Sequence, residues 1–182
     1  MPPIPTESNQ LTTNEQIDIT QFNISRYDNY YDSVNNKGMF YLTFNTFILS
    51  GMCASFITLK PSINSNIIIY ILLIIILITC TISIIYTIIS LNPFLKSNYL
   101  NTSSRKSLLF FGDVASISAN EYVDSCKNQT RNELLEDLIN QNHALANGLN
   151  MKFKRLKCAG DLILVQFFFV LVIIPFIIFN LK

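Results

Sequence analysis

The uncharged run at residues 67–91 most restricts what this chain can fold into. It reads IIIYILLIIILITCTISIIYTIISL and contains no charged residue, glycine or proline. A helix of about 20 apolar residues crosses the roughly 30 Å hydrocarbon core of a bilayer, and this run exceeds that length. A buried core helix is disfavoured because a chain of 182 residues has too little interior to surround such a run on all sides. The run therefore predicts a transmembrane helix.

Two further segments have the composition of membrane spans. Residues 162–181 read LILVQFFFVLVIIPFIIFNL and are apolar apart from Gln166 and Asn180. Residues 39–59 are milder, and their small residues suit close contact between helices. The sequence thus predicts a mainly α membrane protein with three transmembrane helices. A small helical cytoplasmic module is expected between the second and the third.

The distribution of charge predicts the orientation of the chain in the membrane. Nine of the thirteen lysines and arginines fall in residues 93–160, which the positive-inside rule assigns to the cytoplasm together with the N-terminus. The expected location is the bacterial inner membrane, crossed several times. The predicted domains are a disordered polar tail (1–22), a lead-in helix with the first two spans (23–92), the module (93–160) and the third span (161–182).

The module opens with an apolar stretch that is too short to cross a membrane. LLFF at residues 108–111 is expected to be a short extended segment that packs under the long helices. Gly112 would then allow a tight turn, since glycine accepts backbone angles that other residues resist. Ser118 and Glu121 have the spacing of a capping box, so a helix is expected to begin near Ala119.

A leucine stripe follows on the predicted long helix of the module. A second capping box, Thr130 to Glu133, either restarts the helix or lies within it. Beyond it, leucines repeat at three, four and seven residues, which is typical of coiled-coil packing against a helix of the same chain or of a second copy. The stripe consists of Leu135, Leu138, Leu145, Leu149 and Leu156.

No catalytic, metal-binding or cofactor-binding motif is present in the sequence. The single histidine, His143, has no nucleophile in a catalytic pattern, and no phosphate-binding loop or paired-carboxylate motif occurs. Asp113 is expected to be a turn or cap residue. The net charge of +1 gives no general attraction to a nucleic acid polymer. The chain is therefore predicted not to be an enzyme and to need no cofactor or metal.

Basic residues of the module are the candidates for binding an anionic ligand. Arginine and lysine pair well with phosphate oxygens. The alternative, which spacing alone favours, is that they mark the cytoplasmic side and form a solvated face. The candidate residues are Arg105, Lys106, Lys152 and Arg155.

Several of these stretches together resemble the transmembrane effectors of Pycsar antiphage systems. The resemblance extends over residues 26–180, and its most specific part is LLFFGDVASISANEY followed by ELLEDLINQNHALANGLNMKFKRLKCAGDLI. The matching positions are 108–112, 118–122, 133–141 and 152–156, with Lys37, Gly38 and Asn45 upstream. Asn36 stands where the family more often has an aspartate.

The resemblance implies a function that the residues alone do not. A partner pyrimidine nucleotide cyclase would make cyclic UMP or cyclic CMP on infection, and this chain, as a homo-oligomer in the lipid bilayer, would respond by impairing the inner membrane. The infected cell would stop growing before phage are released. Two alternatives remain: a non-catalytic membrane anchor or scaffold that docks a partner protein through its cytoplasmic helix, and a constitutive pore-forming toxin. The long module argues against the toxin.

Overall fold

The computed structural model describes residues 10–63, 67–93 and 106–180, and only the backbone at 57–63 and 176–180. These residues form helices and no strand. The helices are α1 (Thr13–Ile63), α2 (Ile67–Leu91), α3 (Phe111–Val114), α4 (Ala119–Asn128) and α5 (Arg131–Asn180).

The chain divides into two compact units. The first, here called the module unit, comprises Met1–Asn29 and Phe94–Gly148. The second, here called the membrane unit, comprises Tyr30–Pro93 and Leu149–Lys182. The boundary between them falls inside α1 and inside α5, so each long helix contributes to both units.

The three expected membrane helices are confirmed. Helices α1, α2 and α5 are each long and apolar enough to cross a bilayer. Helix α2 has the same bounds as the predicted span, whereas α1 and α5 continue far beyond theirs on the N-terminal side. Pro175 lies inside α5, as the sequence allowed. Close contact between α1 and α5 is visible at Gly160, where an added Cβ would lie 2.8 Å from the Tyr41 hydroxyl.

Helix α1 begins at Thr13, so the expected disordered tail is wrong for residues 13–22. The cause is a capping box that the sequence analysis missed. The Thr12 amide donates to Glu15 Oε2 at 2.8 Å, and the Glu15 amide donates to Thr12 Oγ1 at 3.4 Å. Two amides that a helix leaves without partners are satisfied in this way. Residues 1–9 lie outside the described residues.

The LLFF stretch is only partly buried. Leu108 is 6% exposed, and its amide donates to the Asp137 carboxylate of α5 at 2.9 Å. Leu109 and Phe111 are exposed. The expected extended segment is wrong, because residues 108–110 bend and α3 begins at Phe111. The bend is stabilised by the Asp113 carboxylate, which accepts from the Ser107 amide at 3.0 Å. Asp113 thus acts as a turn residue, as predicted.

Gly112 also differs from expectation. It lies in α3, and no glycine among the described residues has a positive φ. An added Cβ at this position would lie 2.5 Å from Cε1 of the Phe110 ring. The close approach of an aromatic side chain, and not an unusual backbone angle, therefore favours glycine here.

The second capping box restarts the helix. The Thr130 amide donates to Glu133 Oε2 at 2.7 Å, the Glu133 amide donates to Thr130 Oγ1 at 3.3 Å, and α5 begins at Arg131. Three leucines of the stripe, Leu138, Leu149 and Leu156, are buried within the single chain. Helices of the same chain therefore cover much of this stripe.

Candidate functional site in the membrane unit

Helices α2 and α5 meet in a regular pattern of hydrogen bonds. Ser90 Oγ donates to the Lys152 carbonyl at 3.0 Å, and Ser83 Oγ donates to the Ala159 carbonyl at 3.1 Å. The two contacts are seven residues apart on both helices, in opposite directions, as in an antiparallel coiled coil. Serine is small enough to let two membrane helices approach closely.

The same step of seven residues continues along both helices. It puts Ile76 level with Gln166, and Ile69 level with Ile173. All eight residues of this pattern are buried, and we call them the seam: Ser90, Ser83, Ile76 and Ile69 on α2, with Lys152, Ala159, Gln166 and Ile173 on α5. The seam is therefore polar at its Ser90–Lys152 end and apolar at its Ile69–Ile173 end.

Asn45 joins α1 to the seam. It is 0% exposed, and its Nδ2 donates to the Tyr41 carbonyl at 2.9 Å and to Ser83 Oγ at 3.1 Å. The Cys80 thiol donates to the Asn45 carbonyl at 3.4 Å. Asn45 Oδ1 is buried and has no hydrogen-bond partner among the described residues. Ser83 thus connects all three membrane helices, since it accepts from Asn45 and donates to Ala159.

Gln166 is the least satisfied polar residue of the membrane unit. Its side chain is 0% exposed, and neither Nε2 nor Oε1 has a hydrogen-bond partner among the described residues. Leaving a buried polar group unpaired costs about 1–3 kcal/mol. The residues on either side of it, Val165 and Phe167, are exposed and apolar, as expected for a surface that meets lipid.

Lys152 caps the C-terminal end of α2. Its Nζ donates to the carbonyls of Ser90, at 2.7 Å, and Leu91, at 3.3 Å, and lies 5.7 Å from the centre of the Tyr31 ring. The last carbonyls of a helix lack partners within the helix and carry a partial negative charge, so a cation is favourable there. Arg155 adds a longer contact, from Nη1 to the Ile89 carbonyl at 3.4 Å.

Burial lowers the pKa of Lys152, and the positive charge of Arg155 lowers this pKa further. The ammonium is thus held in a place that disfavours its charge, and its two hydrogen-bond acceptors are neutral carbonyl oxygens. One sequence feature agrees with this cap: α2 has no basic residue in its last turn. The cation at this end is therefore supplied by another helix, α5.

The candidate ligand residues fall in different parts of the structure. Lys152 and Arg155 lie together at the end of α2. Lys106 belongs to the module unit, where its Nζ donates to the Ser116 carbonyl at 3.4 Å. Arg105 lies outside the described residues. A ligand-binding role for the four residues stays a prediction.

The module unit has a surface cleft of the opposite charge. It is lined by Glu121, Asp124, Ser125, Asn128 and Glu133. Its three carboxylates would repel a phosphate group. Nor do the described residues contain a group of three histidine, cysteine or acidic side chains placed to hold a metal ion.

The chain matches a known protein family. The family model of the Pycsar effector protein domain matches residues 19–179, which include most of α1, all of the seam and nearly all of α5. No curated protein and no solved structure matches the chain.

Proposed function

Because this chain belongs to the Pycsar effector protein family and is thus a membrane effector of Pycsar defence, we propose that cyclic UMP or cyclic CMP activates it. A partner pyrimidine nucleotide cyclase supplies the nucleotide. The activated effector impairs the inner membrane, and the infected cell stops growing before phage are released.

One observation carries this proposal: the family match extends over both units, from residue 19 to residue 179. The family comprises membrane effectors and not cyclases. The three apolar helices provide the membrane part that such an effector needs. The excess of lysine and arginine in residues 93–160 supports a cytoplasmic position for that segment and for the N-terminus, where a nucleotide made in the cell is available.

In this proposal Lys152 and Arg155 bind the phosphate of the nucleotide, and Arg105 and Lys106 are further candidates for this contact. A phosphate oxygen is a stronger acceptor for an ammonium group than a neutral carbonyl oxygen is. Lys152 now donates to two such carbonyls at the end of α2. A nucleotide that draws the ammonium away from Ser90 and Leu91 would loosen the polar end of the seam.

Activation requires that the nucleotide bind one arrangement of the helices better than the other, since a ligand of equal affinity shifts no equilibrium. In our proposal the active arrangement is an oligomer, in which α5 moves relative to α2. The leucine stripe on α5 takes part in this change of packing.

The proposal is tested in cells that express this chain without a cyclase. Cyclic UMP, cyclic CMP, cyclic AMP and cyclic GMP are supplied separately, and membrane potential is followed with a dye. We expect depolarisation by a pyrimidine nucleotide only. Depolarisation without any nucleotide would indicate an unregulated toxin, and no response from a protein that has reached the membrane would favour the scaffold function.

The same assay tests the assigned residue with a matched control. Lys152→Met removes the buried ammonium, and Lys154→Met removes an exposed lysine two positions further along α5. We expect depolarisation to lose its dependence on nucleotide concentration in Lys152→Met, which lacks both the phosphate contact and the cap of α2, and to keep that dependence in Lys154→Met. Equal responses in the two variants would contradict the assignment of Lys152.

A further inference from the structure

We propose that the seam is the path by which water and small ions cross the membrane in the active effector. In this assignment Gln166 is the deepest polar group of the path, and Ile69 with Ile173 close it in the resting state. The inference rests on the proposed function, because it names the route by which the effector would impair the membrane.

The first argument is the position of the polar groups. Polar side chains inside a membrane protein are rare, and those that face the interior of a helix bundle mark paths for water and ions. Asn45, Ser83, Ser90 and Gln166 are all 0% exposed, whereas Leu164 on the outside of α5 is 69% exposed. These four polar groups thus lie in the interior of the membrane unit, where a path would run.

The second argument is the unpaired amide of Gln166. Both of its polar atoms are buried and bond to no protein group among the described residues. Asn45 Oδ1 is likewise buried without a hydrogen-bond partner among the described residues. Water can donate to an amide oxygen and accept from an amide nitrogen, so it suits both residues. An arrangement that admits water would therefore satisfy groups that the resting packing leaves unpaired.

The third argument is the length of the seam. Successive levels are seven residues apart, or about 10 Å of helix, so the four levels extend over about 30 Å. This length is close to the thickness of the hydrocarbon core. Lys152 lies among the charged residues Lys154 and Arg155, which favours a place at the membrane–water boundary for this end of the seam. The opposite end then reaches across the bilayer.

The fourth argument is the apolar end. Ile69 is 2% exposed and Ile173 is 6% exposed, and the seam has no polar side chain at this level. Hydrophobic constrictions close channels by excluding water, even where the path on one side is polar. The pair would keep the resting protein sealed, and a displacement of α5 along α2 would remove the seal.

The experiment measures whether water reaches position 166. The four native cysteines are replaced by alanine, and Gln166→Cys or Leu164→Cys is added. Inverted membrane vesicles and spheroplasts are treated with a membrane-impermeant thiol reagent, with and without the nucleotide that depolarises wild-type cells. We expect modification of Gln166→Cys to become about tenfold faster with the nucleotide, because a thiol reacts as the thiolate, which forms in water. Leu164→Cys, which faces lipid, should not respond.

A second variant tests the path without a reporter. Gln166→Leu keeps the size of the side chain and removes the amide. We expect the protein to reach the membrane in normal amount and the nucleotide-dependent depolarisation to fall by about tenfold, since water then loses its deepest polar contact.

The outcomes separate this inference from the proposed function. Slow modification of Gln166→Cys, or full depolarisation by Gln166→Leu, in membranes that the nucleotide still depolarises would overturn the path and leave the proposed function intact. If no nucleotide depolarises the wild type, the proposed function fails and the inference fails with it.

Discussion

Several side chains of the membrane unit donate hydrogen bonds to backbone carbonyls of another helix, whereas side chains of the module unit mostly accept hydrogen bonds from backbone amides. Ser83 and Ser90 donate to carbonyls of α5, and Lys152 donates to carbonyls of α2. In the module unit, Asp113 and Asp137 accept from the amides of Ser107 and Leu108. In these contacts the membrane unit uses hydroxyl and ammonium donors, and the module unit uses carboxylate acceptors.

The two units should therefore respond differently to change. The hydrogen bonds of the module unit are exposed or only part-buried, so water competes for them and this unit is the part that is easier to rearrange. The contacts of Ser83, Ser90 and Lys152 in the membrane unit are buried, and each one joins two helices. A rearrangement of the membrane unit would therefore have to break few but costly contacts.

The largest expected effect is on the cap of α2. Lys152→Glu places a negative charge beside the carbonyls of Ser90 and Leu91, and a buried charge without a partner costs about 3–5 kcal/mol. We expect a large loss of thermal stability in detergent. The control is Lys154→Glu at an exposed position, and equal losses in the two variants would mean that the cap does not stabilise the membrane unit.

A smaller effect is expected where α5 binds the LLFF stretch. Asp137→Ala removes the acceptor of the Leu108 amide, which should lower the local stability by about 1–3 kcal/mol. Hydrogen exchange should become faster at the Leu108 amide and stay unchanged in α2. Glu136→Ala, at an exposed neighbouring position, is the control. Faster exchange in α2 as well would show that the two units do not respond independently.

Removing one hydroxyl from the seam should have a modest effect. Ser83→Ala deletes the donor to Ala159 and one acceptor of Asn45, and hydrogen bonds between membrane helices average about 0.6 kcal/mol. Thr81→Ala removes an exposed hydroxyl that bonds only to the Leu77 carbonyl of its own helix. We expect a lower melting temperature for Ser83→Ala than for Thr81→Ala, and the reverse order would contradict the seam.

The smallest effect is the pH dependence of the start of α1. Hydrogen bonds from the Thr12 amide and hydroxyl lower the pKa of Glu15 below its ordinary value of 4.5. The stabilisation is therefore complete above pH 4.5 and is lost as the pH falls through the lower pKa of the folded state. Amide exchange at the first turn of α1 should quicken over that acidic range. In Glu15→Gln this part of the pH dependence should be absent.

The three membrane helices could be predicted from composition, because a membrane-spanning helix requires little more than a long run of uncharged, apolar residues. Helix α2 agrees with the prediction at both ends. The start of α1 was missed because the polar N-terminal segment was expected to be disordered and the capping-box spacing of Thr12 and Glu15 was overlooked.

The pairing of residues in the seam was harder to predict from the sequence. Leucine periodicity on α5 indicated which face is buried, but a one-sequence pattern does not say which residues of another helix lie opposite. Gln166 was noted only as a polar interruption of an apolar span. Its complete burial depends on the register between α2 and α5, which the hydrogen bonds of Ser83 and Ser90 fix. Gly112 was likewise expected to allow a tight turn, whereas it lies in α3 close to the Phe110 ring.

The cap of α2 by Lys152 has a consequence for biosynthesis. The ribosome makes α1 and α2 long before it reaches residue 152, so the nascent hairpin enters the membrane without the donor that satisfies the Ser90 and Leu91 carbonyls. The same delay applies to Ala159, the acceptor of Ser83. The final packing of the first two spans therefore forms only after the last third of the chain has been made. A prematurely terminated product lacks the contacts that stabilise this packing.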